Sequence, residues 1–223
     1  MIFPKNLHQL LNMNNKVLIA AGRFPKEGIS KTRLALDIGD RAAVDFYRQC
    51  AQHVLNEAAK LTLDIKSYFL YADSQDWLAV SKWLKGTGVR RLPPTNVDIE
   101  QNIADAFRRL LVRERTKGIC VATDVPDLNS RLLREAFDAL DNCNVVIGRD
   151  HKDGVYLFGI QRRQKKLLPD FFNSERDRDI PAFDFAMRII KEKGLSCYQL
   201  PELLDVDTGE DLKRWQRHNL RVV

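Results

Sequence analysis

No run of apolar residues in this sequence approaches the roughly 20 that a bilayer-spanning helix requires. The opening stretch, MIFPKNLHQLLNMNNK, also lacks the long apolar core of a signal peptide. A helical membrane protein is thereby excluded, and the expected setting is cytoplasmic, with residues 1–15 as an N-terminal extension. Cysteine is scarce: Cys50, Cys120, Cys143 and Cys197 are widely spaced with no CxxC pair. That argues against a disulfide scaffold or a zinc ribbon and for reduced, buried thiols. There is no large excess of one charge sign either, 36 Lys and Arg against 30 Asp and Glu, a net +6. Such a balance suits phosphate-bearing ligands. No zinc-finger spacing or RNA-binding aromatic motif accompanies it, so nucleic acid is not an expected partner. The basic run Gln161-Arg162-Arg163-Gln164-Lys165-Lys166 reads as a solvated loop.

What is present is an ordinary globular mixture, 44% hydrophobic and 30% charged. Its apolar residues recur in alternating strand and helix patterns. Strands are expected at Lys16–Ala21, Ile65–Tyr71, Gly88–Leu92, Gly118–Ala122, Val145–Gly148, Val155–Ile160 and Ser196–Leu200. Helices are expected at Asp40–Ala59, capped by Asp40, at Ser74–Leu84 with Trp77 and Val80 on one face, and at Asp98–Val112, Asn129–Leu140 and Ala182–Lys193. A last helix follows Asp207. Short continuous apolar strands alternating with helices predict an α/β fold: a doubly wound, mostly parallel sheet with helices on both faces. With no linker or internal repeat, residues 16–223 read as one domain. In such sheets ligands bind at the carboxyl ends of the strands.

Four strand ends carry unusual chemistry. After the first strand comes Gly22-Arg23-Phe24-Pro25-Lys26-Glu27-Gly28-Ile29-Ser30-Lys31-Thr32-Arg33, expected to be a loop whose backbone N–H groups and cations suit a polyphosphate. It is loosely like a P-loop, but the spacing of Gly22, Gly28, Lys31 and Thr32 is not the P-loop one. The fourth strand ends in Thr123-Asp124-Val125-Pro126-Asp127-Leu128. Asp127 adjoins a helix start and is expected to cap it, although Asn129 could cap equally well. Asp124 lies too early to cap, and a metal ligand is the better reading. The turn at Asp153-Gly154 predicts a hairpin, with His151 a weak candidate ligand or base. Near the C-terminus, Asp205 and Asp207 alternate along an extended segment and so face one side. Two such carboxylates call for a cation, and oxygen ligands suit Mg²⁺ or Mn²⁺. Asp207 or Thr208 would cap the last helix, with Glu210 placed for a capping box.

Together these segments resemble a family of GT-A-fold, glycosyltransferase-like or nucleotidyltransferase-like proteins of unknown function, labelled "transferase 1, radical-SAM/selenodomain-associated". More distantly the chain is similar to molybdenum-cofactor and phospholactate guanylyltransferases. The pattern K-x-P-x-x-G-x-x-K-T-R-L is met by Arg23 through Leu34, G-S-D-x-P-D-L by Ala122 through Leu128, D-G-G-Y-Y-L-I-G by Asp153 through Gly159, and D-V-D-T-x-E-D-L by Asp205 through Leu212. The resemblance implies a nucleotide-diphospho-sugar transferase fold and a metal-dependent transferase, its donor a nucleotide or nucleotide-sugar and its acceptor an unidentified small molecule. By it, Gly22 and Arg23 would meet the nucleotide; Arg23, Lys31 and Arg33, in the loop with Gly28 and Thr32, its phosphates; and Asp124, Asp205 and Asp207 the metal. Lys31 and Arg33 would also stabilise developing charge, and Asp153 would be the base. An oligomer is compatible with all of this. The chain departs from the pattern at Arg23, Ala122 and Val155, and in Val97-Asp98-Ile99-Glu100-Gln101-Asn102-Ile103, where G-D-L-G-E-R-M is usual. Those departures support a competing expectation, a non-catalytic nucleotide-binding or scaffold protein of the same fold.

Overall fold

The computed structural model describes residues 15–61, 65–114 and 116–219. The expected N-terminal extension lies outside them, apart from residue 15. Seven strands form one sheet: β1 (Lys16–Gly22), β2 (Ile65–Tyr71), β3 (Arg90–Leu92), β4 (Lys117–Ala122), β5 (Val145–Asp150), β6 (Val155–Gln161) and β7 (Cys197–Leu203), in the order β3-β2-β1-β4-β6-β5-β7. All neighbours run parallel except β6, which is antiparallel to both β4 and β5. The helices are α1 (Thr32–Ile38), α2 (Asp40–Ala59), α3 (Trp77–Trp83), α4 (Ile99–Leu110), α5 (Ser130–Ala139), α6 (Leu168–Phe171), α7 (Ala182–Glu192) and α8 (Gly209–Asn219).

The buried strand β1 shows why this sequence makes a covered sheet. Leu18 and Ala20 join a core with Val54, Leu55 and Phe137 from α2 and α5. Val17 and Ile19, alternating with them, join the opposite core with Phe107 and Ile189 from α4 and α7. A residue period of two thus feeds both faces. A smaller cluster of Leu34, Ala43 and Val206, with Trp215 against it, ties α1, α2 and α8 to the segment before α8. From β1 the chain winds outward to β2 and β3, then returns to place β4 on the other side of β1. The order reverses between β1 and β4, and ligand crevices open at such a point.

Several expectations are corrected. Thr32 and Arg33 are not loop but the first turn of α1, because Leu34 finds a fully buried site there. Asp40 is not the cap of α2: Gly39 is, and Asp40 lies in the first turn, where its charge meets the positive helix end. Trp77 does not share the core with Val80. It is 54% exposed, with the Arg91 guanidinium 5.5 Å from its ring. The run Arg162–Leu167 is not a solvated loop but a 3₁₀ helix leading into α6. Its Lys165 ammonium reaches the carbonyls of Arg108 (2.6 Å) and Leu111 (3.3 Å), occupying the negative C-terminal end of α4.

Candidate functional site

At the end of β1 the chain turns under a buried hydroxyl. Tyr47 of α2 accepts a hydrogen bond from Arg23 N (2.9 Å), donates to Arg23 O (3.0 Å) and meets Thr123 Oγ1 of the β4 end (3.0 Å). Burial, and then the Asp124 charge, push the Tyr47 phenol up to about 12. Gly22 is required by this closeness. A Cβ there would lie 2.0 Å from Thr123 Oγ1 and 2.8 Å from Tyr47 Oη. Gly22→Ala is therefore expected to cost about 1–3 kcal/mol by overpacking, roughly 2–4 °C of melting temperature per kcal/mol in a chain of this size. An unchanged thermal melt would show that Thr123 and Tyr47 yield freely.

The following loop is organised by Ser30, which is buried and bonded to Phe24 O (3.3 Å) and Lys26 N (3.2 Å). Gly28 has φ +70°, where a Cβ is disfavoured. Lys26 is spent on Asp76. Lys31 caps α1 in the left-handed region, φ 53° and ψ 47°, which costs a lysine about 1–3 kcal/mol and persists only where its surroundings enforce it.

That conformation aims Lys31 into a cluster of carboxylates. Its Nζ lies 2.8 Å from Asp124 Oδ2, 3.1 Å from Asp205 Oδ1 and 2.6 Å from Asp207 Oδ1. One oxygen from each aspartate falls within 4.8 Å of the others. Arg33 adds a contact to Asp207 Oδ2 at 2.5 Å, and Lys152 stands 4.0 Å from the same atom. Burial alone would depress the Lys31 ammonium, but the charges of Asp124, Asp205 and Asp207 outweigh it and hold the group above the ordinary lysine range. Asp205 is pushed up to about 7, first by burial and then by repulsion from Asp124. Asp207 also pays for burial, but Lys31, Arg33 and Lys152 together keep it below the usual carboxylate value. The three carboxylates thus share one cation, the Lys31 ammonium.

The frame around the aspartates is Asp211, which sequence reasoning missed. It accepts from Asp207 N (3.0 Å) and Thr208 N (2.9 Å), while Asp211 N donates to Thr208 Oγ1 (3.2 Å). This is the capping box of α8, closed by Asp211 and not by Glu210. His151 and Lys152, at 2.9 and 2.5 Å, take the remaining positions on Asp211, so the His151 ring faces a carboxylate on the hairpin side. The signal was available as T-x-x-D, but capping is reciprocal and the spacing also fits Asp207 with Glu210.

Asp127 is a second correction. Its Oδ1 accepts from Trp215 Nε1 (2.9 Å), tying α8 to the β4 turn. The cap of α5 is Asn129, bonded to Leu132 N (3.1 Å), with Glu57 taking Ser130 N (2.8 Å). Asn129 wins because it stands directly before the first helical residue.

Gly22, Arg23, Lys31, Thr32, Arg33, Asp124 and Asp207 all line one cleft of 410 Å³ at the β1 and β4 ends. Asp205 joins it through Lys31. Gly28 and Asp153 are not on its walls. The Asp153 carboxylate is half exposed and paired with Arg149 (3.2 Å). Among the described residues no helix is long and apolar enough to cross a membrane.

The family model described as "Uncharacterized protein conserved in bacteria" (DUF2064) matches residues 55–175, more than half of the chain, and the chain belongs to that family. No curated protein matches the sequence. Among solved structures, a candidate nucleotide-diphospho-sugar transferase from Desulfovibrio desulfuricans G20 is similar at 23% identity and a TM-score of 0.83, over 93% of this chain and 88% of the other. Molybdopterin-guanine dinucleotide biosynthesis protein A from Archaeoglobus fulgidus is similar at 13% identity and TM-score 0.55, over 92% and 99%. Rv0371c from Mycobacterium tuberculosis H37Rv, solved in complex with manganese, is similar at 18% identity and TM-score 0.53, over 91% and 97%. At these identities the likeness is one of fold, and the fold is that of nucleotide-diphospho-sugar transferases and nucleotidyltransferases.

Proposed function

We propose that this member of the family is a metal-dependent transferase that uses a nucleotide or nucleotide-sugar donor and passes a nucleotidyl or glycosyl group to a small-molecule acceptor. The observation that carries the reading is the Asp124, Asp205 and Asp207 cluster gathered on one cation, at the point where the sheet order reverses. All three donors are carboxylate oxygens, the hard ligand set that suits Mg²⁺ or Mn²⁺. A divalent ion held there would neutralise charge on the donor's diphosphate.

The chain's own residues then have separable tasks. The close passage of Gly22 and Arg23 beneath Tyr47 puts both residues on the cleft wall, where they would meet the nucleotide. Arg33, 66% exposed, is free to turn from Asp207 to a phosphate. Lys31 holds the carboxylates together; with a divalent ion held there its ammonium would be free for the phosphates, where it would stabilise developing charge. In the transfer an acceptor oxygen forms a bond to phosphorus, or to the anomeric carbon. The bond to pyrophosphate, or to the nucleoside diphosphate, breaks, and its electron pair leaves with that group. The acceptor's proton passes to solvent.

Calorimetry with GTP, CTP, UDP-glucose and GDP-mannose, each with and without Mn²⁺, tests this. At least one donor is expected to bind in the presence of Mn²⁺ and lose most of its affinity without it. A folded protein that binds none of them would end the reading. Mn²⁺-dependent binding with neither transfer nor slow donor hydrolysis would favour the non-catalytic alternative.

A further inference from the structure

A second cavity, of 250 Å³, opens beside the cleft and shares Ala21, Ala122 and Ile99 with it. Its character is opposite. Phe158, Phe171, Phe172 and Phe185 line it, with Val155 at the start of β6. Two charged residues, Glu100 and Arg176, also line it. Glu100 Oε1 accepts from Arg176 Nη2 (3.3 Å) and Arg178 Nη1 (2.5 Å). Glu100 Oε2 is buried and has no hydrogen-bond partner among the described residues. A buried carboxylate oxygen left bare is costly, which makes it a marker for a ligand that completes it.

The positions where this chain departs from the pattern it resembles gather here. Val155 and Glu100 are on the wall. Gln101 clamps the wall from behind, donating through Nε2 to Phe172 O at 2.7 Å. The cations and carboxylates of the cleft show no such divergence beyond Arg23.

We propose that this cavity binds the acceptor: a small, neutral, mainly apolar or aromatic molecule with one hydroxyl or N–H group, toward which Glu100 turns the now-sealed Oε2 to accept a hydrogen bond. The acceptor role rests on the transferase reading above; the ligand chemistry does not. The size follows from the volume, equal to roughly eight waters at liquid density, which is room for one substituted ring. The apolar body follows from the four phenylalanines. Neutrality follows from the charges. The carboxylates of Glu100 and Asp98 are matched by the guanidiniums of Arg176 and Arg178, so an ion of either sign would leave water without a counter-charge, and an anion would also meet the bare oxygen. The shared wall at Ala21 and Ala122 would bring such a molecule to the edge of the donor cleft.

Ligand-observed NMR titration of the folded full chain tests the proposal with benzyl alcohol, its methyl ether, benzoate and benzylammonium. Benzyl alcohol is expected to bind saturably, and the other three about tenfold more weakly or worse, the scale of one hydrogen bond to a charged group. Glu100→Gln should shrink the difference between the alcohol and its ether. Ala186→Phe and, one turn earlier on the same helix, Ala182→Phe should each abolish alcohol binding by filling the space while leaving Mn²⁺–nucleotide calorimetry unchanged. Two filling variants are used so that one misfolded protein does not decide the matter. Absence of saturable alcohol binding to the parent, or binding that survives in a folded filled variant, overturns the proposal. If no nucleotide binds the parent while the alcohol behaves as expected, the transferase reading and the acceptor role fall together, and the ligand site stands.

Discussion

Lys31→Ala is expected to destabilise the metal-free protein by about 3 kcal/mol and to make Mn²⁺ the stronger stabiliser of the two proteins. The first part follows from what the ammonium touches. Three aspartates share it, at 2.6 to 3.1 Å, and their side chains are only 17–27% exposed. Removing one partner of a buried ion pair costs about 3–5 kcal/mol; the partial exposure of the carboxylates argues for the lower end. The second part follows from mass action. An ion that binds only the native state raises its stability in proportion to its affinity, and in the parent that ion must first displace Lys31. Thermal melts in EDTA and across a Mn²⁺ series decide it. The variant should start lower and rise further. If it melts with the parent in EDTA, or if Mn²⁺ lifts both alike, Lys31 is not the occupant that a metal replaces. Nucleotide affinity gives an independent readout: the variant should bind Mn²⁺ better and the Mn²⁺–nucleotide complex worse, because the freed ammonium is no longer there to meet phosphate.

Much of this arrangement was legible in the residues. The bounds of α2 and β2 match the expected Asp40–Ala59 and Ile65–Tyr71 because long stripes and continuous apolar runs leave little choice of period. Asp124 was conspicuous as a carboxylate at the end of a buried strand, and Asp205 with Asp207 by alternation. What could not be read was local and reciprocal. α1 is seven residues with one buried side chain, Leu34, too little for a helical period to show. Asp211 and Glu210 compete for one capping role, as do Asn129 and Asp127, and each contest is decided by a single residue of register.

The placement of Lys31 was the least accessible feature. Basic residues in the loop read as phosphate ligands, and nothing in a linear pattern reveals that one of them crosses to aspartates 93 and 174 residues away. It depends on one left-handed residue at the start of a short helix. The surroundings of Asp153, the candidate base, were equally hidden: the hairpin gives it φ +60°, and its carboxylate accepts from Arg149.

The pair Asp124→Asn and Asp127→Ala should separate metal chemistry from architecture. Both aspartates stand in one six-residue turn, and their partners differ completely. Asp124 faces Lys31 and the other two aspartates, so its loss removes one attraction and two repulsions together. Metal-free stability is expected to stay within about 1 kcal/mol of the parent, the scale of partly exposed ion pairs. Mn²⁺-dependent nucleotide binding should weaken by at least about 100-fold, since even a residue that only supports a metal ligand costs 10–100-fold when removed. Asp127 accepts from Trp215 of α8 and is not one of the three clustered aspartates. Asp127→Ala removes that hydrogen bond, worth about 0.5–1.5 kcal/mol, and should lower the melting temperature while leaving the Mn²⁺ titration as it was. The expected result is crossed, one variant nearly silent in the melt and the other silent in the titration. If Asp124→Asn binds Mn²⁺ and nucleotide like the parent, the three aspartates are a structural clasp for Lys31, and the metal-dependent transferase loses the residue on which it most depends.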